Sequence, residues 1–284
     1  MSTASSNRPL LQSAVALLSA LLLGAGGLLL GFGLMIPAVI ALTLVGLELT
    51  PSLNIVLSLL FIQGVGCAGV AFSYVKARPA VAPWVRSKLG IVAESSVFDI
   101  PAEVPDLRDA ITVGVGYCVA LGGAILGSVL ITLAQRLTGT ELETGTNQAA
   151  QIGMENPELL LLLIPASVLV IGPSEELLFR GVVQGRVREV FSPVPGILIP
   201  SAIFAGLHWF ALTGGSASGN FVALGILLVP ALVFGISYEY TDNIVVPSLI
   251  HGVYNATLFT LLYVTVAYSD QFEAAQQALL AASL

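Results

Sequence analysis

"PELLLLLIPASVLVIGPSEELLFRGVVQGRVREV", residues 157–190, decides how this chain is read. Its first half is an apolar run that ends near Ile171. Its second half continues the run but carries Glu175, Glu176 and Arg180 inside it. About 20 apolar residues are enough to cross a bilayer as a helix. Charge in the hydrocarbon core costs from about 3 to more than about 10 kcal/mol, so a charged residue there marks a function. The fold and the chemistry are therefore written in the same stretch.

Apolar runs recur outward from it in both directions, at 11–47, 53–75, 109–135, 195–212, 219–238 and 244–267. Of the 284 residues, 56% are hydrophobic and 10% charged, against roughly 25% charged in soluble domains. The predicted fold class is all-α, a polytopic transmembrane bundle of seven or eight spans in a cell membrane, with lipid as the first partner. The count turns on 11–47, which is interrupted by Gly31, Gly33 and Pro37. It is too long for one upright span and slightly short for two. Its beginning resembles a signal peptide. It stays apolar to Leu47 without a clear small-residue cleavage site, so it is read as retained.

Three regions follow: membrane segments and a polar loop over 1–108, a membrane-embedded core over 109–267, and a tail over 268–284. Residues 76–108 are expected as a surface segment, with a short interfacial helix around Trp84 to Leu89. Residues 136–156 read as a second polar loop, and 268–284 as a short amphipathic or frayed tail. Cys67 and Cys118 lack C-x-x-C spacing and read as small buried residues. Net charge is −7 with two lysines, which excludes a strong nucleic-acid partner.

Basic residues orient the spans. Lys76, Arg78, Arg86, Lys88 and Arg108 fall in one loop, and Arg180, Arg186 and Arg188 in or near another. Two crossings separate these loops, so both sit in the cytoplasm. With one crossing over 11–47, Arg8 joins them and Arg136 alone is misplaced.

In the last five runs the residues that stand out as charged or strongly polar within the expected hydrocarbon core are Glu175, Glu176, Arg180, His208, His251 and Asn255. Both histidines of the chain are among them. Glu176 and Arg180 are four apart and can pair on one helix face. Glu175 lies about 100° round the helix. Phe204 and His208, and His251 and Asn255, are also four apart. At about 1.5 Å per residue, all these groups come to comparable depth, near mid-membrane and tilted toward the cytoplasm.

Carboxylate, imidazole and carboxamide at one buried site suit amide hydrolysis. Glu175 can take a proton from water, His208 can orient that water, and His251 with Asn255 can donate to an oxyanion. Arg180 keeps Glu176 ionised. A zinc ion held by two His and one or two Glu is the competing account, although H-E-x-x-H is absent. The bland reading of Glu176 and Arg180 is a structural ion pair, and that of Asn255 a bridge between helices. Buried carboxylates and histidines also suit a proton-coupled transporter, yet no repeated halves are evident.

"EELLFR" (175–180), "FAGLH" (204–208) and "HGVYN" (251–255) resemble, in order and spacing, the motifs of the CAAX prenyl endopeptidase and bacteriocin-processing family, also called CPBP or Abi-type. The resemblance covers about residues 157–260. It implies an intramembrane endopeptidase acting on a prenylated or otherwise membrane-anchored protein or peptide, with a cavity open toward the cytoplasm. It also implies Glu175 as general base, His208 as the partner on the water, and His251 with Asn255 as the oxyanion side. Members are often labelled metalloproteases, although a metal-free glutamate mechanism is the alternative.

Overall fold

A computed structural model describes residues 9–90, 98–139 and 141–282. Arg8, used above for orientation, lies outside the described residues. Among the described residues seven helices are long and apolar enough to cross a membrane, and the fold is an all-α polytopic bundle. In chain order they are α1 (Pro9–Leu44), α2 (Pro51–Leu89), α3 (Leu107–Thr138), α5 (Pro157–Arg188), α6 (Pro193–Ala211), α7 (Ala217–Thr241) and α8 (Val245–Ala267). The short α4 (Gln148–Glu155) lies between α3 and α5, and α9 (Ser269–Ala282) follows α8.

Each boundary has a local cause. Pro51 follows Thr50, whose hydroxyl accepts from the backbone N–H of Leu53, and Pro tolerates the first helical turn. Asp106 caps α3, Asn147 caps α4 and Ser216 caps α7 through the same kind of bond. Gly90 and Gly139 close α2 and α3 with φ of 65° and 66°, a conformation that costs glycine nothing.

α1 runs unbroken through Gly31, Gly33 and Pro37 for 36 residues. That is about 54 Å of helix, well beyond the roughly 30 Å hydrocarbon core, so the first run makes one long span and the count is seven. α2 also outruns expectation. It continues past Lys76 to Leu89, so Trp84–Leu89 is its last turns and not a separate interfacial helix. The predicted loop 136–156 contains the last turn of α3, α4 and a two-residue strand β1 (Thr146–Asn147). β1 pairs antiparallel with β2 (Leu212–Thr213).

α5 is the central helix. Leu178, Phe179, Val182, Val183 and Val187 on its second half are buried against Ala20 of α1, Cys67 and Ala71 of α2, Phe204 of α6 and Ala231 of α7. A second cluster joins α3, α7 and α8 through Ala120, Phe234, Val246, Ile250 and Tyr254. Large apolar side chains point outward along α1 and α3, among them Leu22, Leu29, Ile111, Val115 and Leu126. Such a surface belongs in lipid. Cys67 is buried as expected, whereas Cys118 is exposed on α3 and not a core residue.

The two ends of the bundle differ. One end gathers the C-terminal part of α2, the start of α3, the end of α5 and the α7–α8 turn. There Arg78 and Arg186 both pair with Glu189, and Arg188 pairs with Glu239 at 2.8 Å, so Glu239 is tied down and not merely solvated. Asn243 accepts from Glu103 N–H at 3.1 Å and donates to Glu103 C=O at 3.1 Å and to Asp109 at 2.9 Å. These bonds draw the segment 98–106 across that end. The opposite end carries the residues joining α1 to α2, α4 and the β1–β2 ribbon.

Candidate active site

α5 is wound to present its acids. Regular α-helix over Leu160–Ala166 widens to π-helix at Ser167–Ile171, tightens at Gly172–Glu176, and widens again at Leu177–Gln184. Pro173 lacks an N–H and crowds the carbonyl four residues back. A wide turn ahead of it relieves both problems, and such turns recur at functional sites. Gly172 meets Gly252 of α8 where these helices cross. A Cβ on Gly172 would stand 2.8 Å from Ser248 O, and one on Gly252 2.7 Å from Val168 Cα. Only glycine permits this approach, and it brings His251 to the glutamates.

Glu176 and Arg180 are both fully buried, and Arg180 Nε donates to Glu176 Oε2 at 2.8 Å. The pair expected from their spacing is therefore present. Glu176 does more than neutralise Arg180. Its Oε1 accepts from His251 Nδ1 at 2.8 Å. Phe234 stacks on the His251 ring at 4.7 Å, and the Arg180 guanidinium lies 5.1 Å from the Phe204 ring centre. His251 is thus held by a carboxylate on one edge and an aromatic face on the other.

With Nδ1 donating to Glu176, the neutral imidazole of His251 presents an acceptor at Nε2. That atom lies 3.9 Å from Glu175 Oε2, a buried oxygen without a hydrogen-bond partner. Two acceptors at this separation suit one water donating to both. The other oxygen, Oε1, accepts from Gln63 Nε2 at 2.7 Å. Gln63 lies on the π-helical stretch Leu59–Gly69 of α2 and was missed from sequence. Its signal was available, as the lone amide inside the apolar run "LLFIQGVGCAG".

A cavity of about 210 Å³ opens beside Glu175. Glu175, His208, Asn255, Gln63 and Cys67 line it, with walls of Phe32, Ile62, Phe179, Leu207 and Phe259. His208 sits where α6 passes into a tight last turn, His208–Ala211, and its Nδ1 donates to Phe204 C=O at 2.8 Å. Nε2 is its remaining nitrogen. His251, 3% exposed, does not line the cavity and stands behind Glu175. The structure thus brings Glu175, His208 and Asn255 to one cavity, and puts Glu176, Arg180 and His251 in the buried support.

Among the described residues no three His, Cys, Asp or Glu side chains converge as a metal-ligand set. Glu176 is already engaged by Arg180 and His251, while Nε2 of each histidine is free of any protein hydrogen bond.

The cavity lies toward one end of the bundle. Its lining includes Asn54 near the start of α2, Asn147, Gln148 and Ala149 beside the ribbon, and Phe210 and Ala211 at the end of α6. These mark the ribbon end. No residue from the basic end lines it.

The family described as Type II CAAX prenyl endopeptidase Rce1-like matches residues 157–257. The matched span runs from the start of α5 to two residues past Asn255, and it takes in all three motifs. The match is to a family of CAAX prenyl endopeptidases and covers this part of the chain alone. No curated protein and no solved structure matches the chain.

Proposed function

We propose that this membrane protein, Rce1-like over residues 157–257, hydrolyses a peptide bond of a membrane-anchored or lipidated polypeptide, using water activated by Glu175. The observation that carries the reading is the free oxygen of Glu175 facing His251 Nε2 across 3.9 Å, at the edge of a largely apolar cavity.

Water held between these two acceptors gives one proton to Glu175 Oε2 as its oxygen attacks the scissile carbonyl carbon. The C=O electron pair moves onto oxygen, and the Asn255 amide donates to that oxyanion. The tetrahedral intermediate then collapses, the C–N bond breaks, and protonated Glu175 returns its proton to the leaving amine. His208, with Nδ1 donating to Phe204 C=O, presents Nε2 as an acceptor at the cavity, where it takes a hydrogen bond from the scissile N–H of the substrate. His251 serves as an acceptor that places the water, because its donor is already spent on Glu176. Gln63 holds Glu175 in its rotamer. The apolar walls receive a lipid chain or apolar side chains. No step needs a metal.

The test is the purified protein in detergent with a fluorogenic prenylated peptide and a panel of other membrane peptides. Cleavage by the wild type and its loss in Glu175→Ala is the expected result. A wild type that cleaves nothing in the panel sinks the reading. Activity is expected to survive exhaustive chelation, and loss restored by added zinc would overturn the metal-free mechanism.

A further inference from the structure

The family match begins at Pro157, so α1 and α2 lie outside it. α2 nevertheless carries a group bonded to the general base. Gln63 Nε2 donates to Glu175 Oε1 at 2.7 Å. The amide oxygen of Gln63 is buried and takes no hydrogen bond. Burying an amide with half its bonding capacity unmet is costly. Packing alone would be served better by leucine, so the amide is there for Glu175.

The main chain is built to deliver it. α1 and α2 cross backbone to backbone at Gly27, Gly31 and Gly66. A Cβ on Gly27 would stand 2.7 Å from Gly66 O, and one on Gly31 2.9 Å from Phe61 O. Small residues permit such contact between membrane helices. Gly27 also faces α5, where its Cβ would meet Leu178 Cδ2 at 2.9 Å. α1 thus fixes α2 against α5 within three residues of both Gln63 and Glu175. Gln63 itself sits in the π-helical stretch Leu59–Gly69, a winding that recurs at functional sites.

The bond decides which oxygen of Glu175 can hold a proton. Oε1 faces an N–H donor, and once protonated it would be a poor acceptor there. Oε2 has no partner and lies 3.9 Å from His251 Nε2. Cys67 and His208 share the cavity with Glu175, but Gln63 is the one described residue bonded to Oε1. We infer that Gln63 is a positioning residue that confines the proton taken from water to Glu175 Oε2, from which it returns to the leaving amine. The proton passes from water to Oε2 and then to the amine nitrogen, and Gln63 neither gains nor loses one. This rests on the peptidase reading above and extends its active site to the α1–α2 pair.

Two variants test it. Gln63→Leu removes the donor at similar volume. It is expected to lower kcat by about 10²-fold, the loss that misplacing a reacting group incurs, with KM within about twofold and Tm not lowered. Gln63→Glu keeps the length, so it carries the test if Gln63→Leu fails to fold. Near neutral pH its carboxylate offers Oε1 no donor, and kcat is expected to fall likewise. Lower pH places one proton between the two carboxyl groups, restores a donor and is expected to return part of the activity, where the wild type gains none. Wild-type kcat in Gln63→Leu, or in Gln63→Glu at neutral pH, overturns the inference, as does a loss confined to KM or Tm. Infrared difference spectra on acidification give a readout free of activity. The Glu175 carboxyl band, identified by its absence in Glu175→Gln, is expected to shift in Gln63→Leu, and an unshifted band overturns the inference. A wild type that cleaves nothing defeats the peptidase reading, and the infrared result still decides what Gln63 does to Glu175.

Discussion

Glu175 and Glu176 are neighbours in sequence with opposite environments. Glu176 is enclosed by an arginine and a histidine, while Glu175 keeps an oxygen turned to His251 beside the cavity. Glu175→Gln preserves shape and removes the base. It is expected to lower kcat by about 10²- to 10⁴-fold with an unchanged Tm. Glu176→Gln strips Arg180 of its partner in the interior, where breaking such a pair costs about 3–5 kcal/mol. It should therefore lower Tm as well as activity. Equal Tm values for the two variants would refute this division. Asn255→Ala should cost about 10²- to 10³-fold in kcat, the usual loss for one oxyanion donor, with KM nearly constant. A rise in KM alone would make Asn255 a substrate-binding group instead. The motif residues were legible in sequence because polar groups stand out in apolar helices. Gln63 stands out as a lone amide in an apolar run, but its bond to Glu175, 112 positions away, is not legible in sequence. The bond from His251 to Glu176 was not legible either, for a different reason. Helical spacing gives faces, but not which ring nitrogen a carboxylate on another helix takes.

At the scale of elements, the site depends on how closely α5 and α8 approach. The crossing at Gly172 and Gly252 leaves no room for a methyl group. Gly252→Val is expected to push the helices apart, draw His251 off both glutamates and abolish cleavage, with a lowered Tm. Gly122→Ala on α3, where nothing lies within 4 Å of the added carbon, should leave activity intact and gain helix propensity of about 1 kcal/mol. Inactivity of Gly122→Ala, or an unaffected Gly252→Val, would contradict this account of the packing. Span existence was plain from apolar runs, since α3, α7 and α8 depart from expectation by only a few residues. Extents were less plain. α2 passes through Pro79 and Pro83 without stopping, and α1 through Pro37, so neither a proline nor local polarity alone ends these helices.

The whole molecule is a bundle closed at one end and open at the other, and Asn243 is central to the closure. Asn243→Ala loses the bonds to Glu103 and Asp109. It is expected to expose the segment 98–106 to limited proteolysis several times faster than in the wild type, with peptidase activity largely kept. Unchanged cleavage at 98–106 would show that Phe98 and Ile100 hold the cover without it. Which end is open could not be read from the sequence. Distances counted along three helices place their polar groups in depth, but the mouth is formed by α4 and the end of α6, which meet only in the folded chain. There, Thr146 and Thr213 pair across the β1–β2 ribbon. Asn220 ties the same loops by accepting from Gly145 N–H and donating to Gly214 C=O. The ribbon is short and polar, sits outside the apolar spans, and contributes nothing to the charged centre. Admission and chemistry are thereby housed in separate parts of the chain. Substitutions at 141–147 and 212–216 can therefore reshape the mouth without touching the glutamates and histidines behind it.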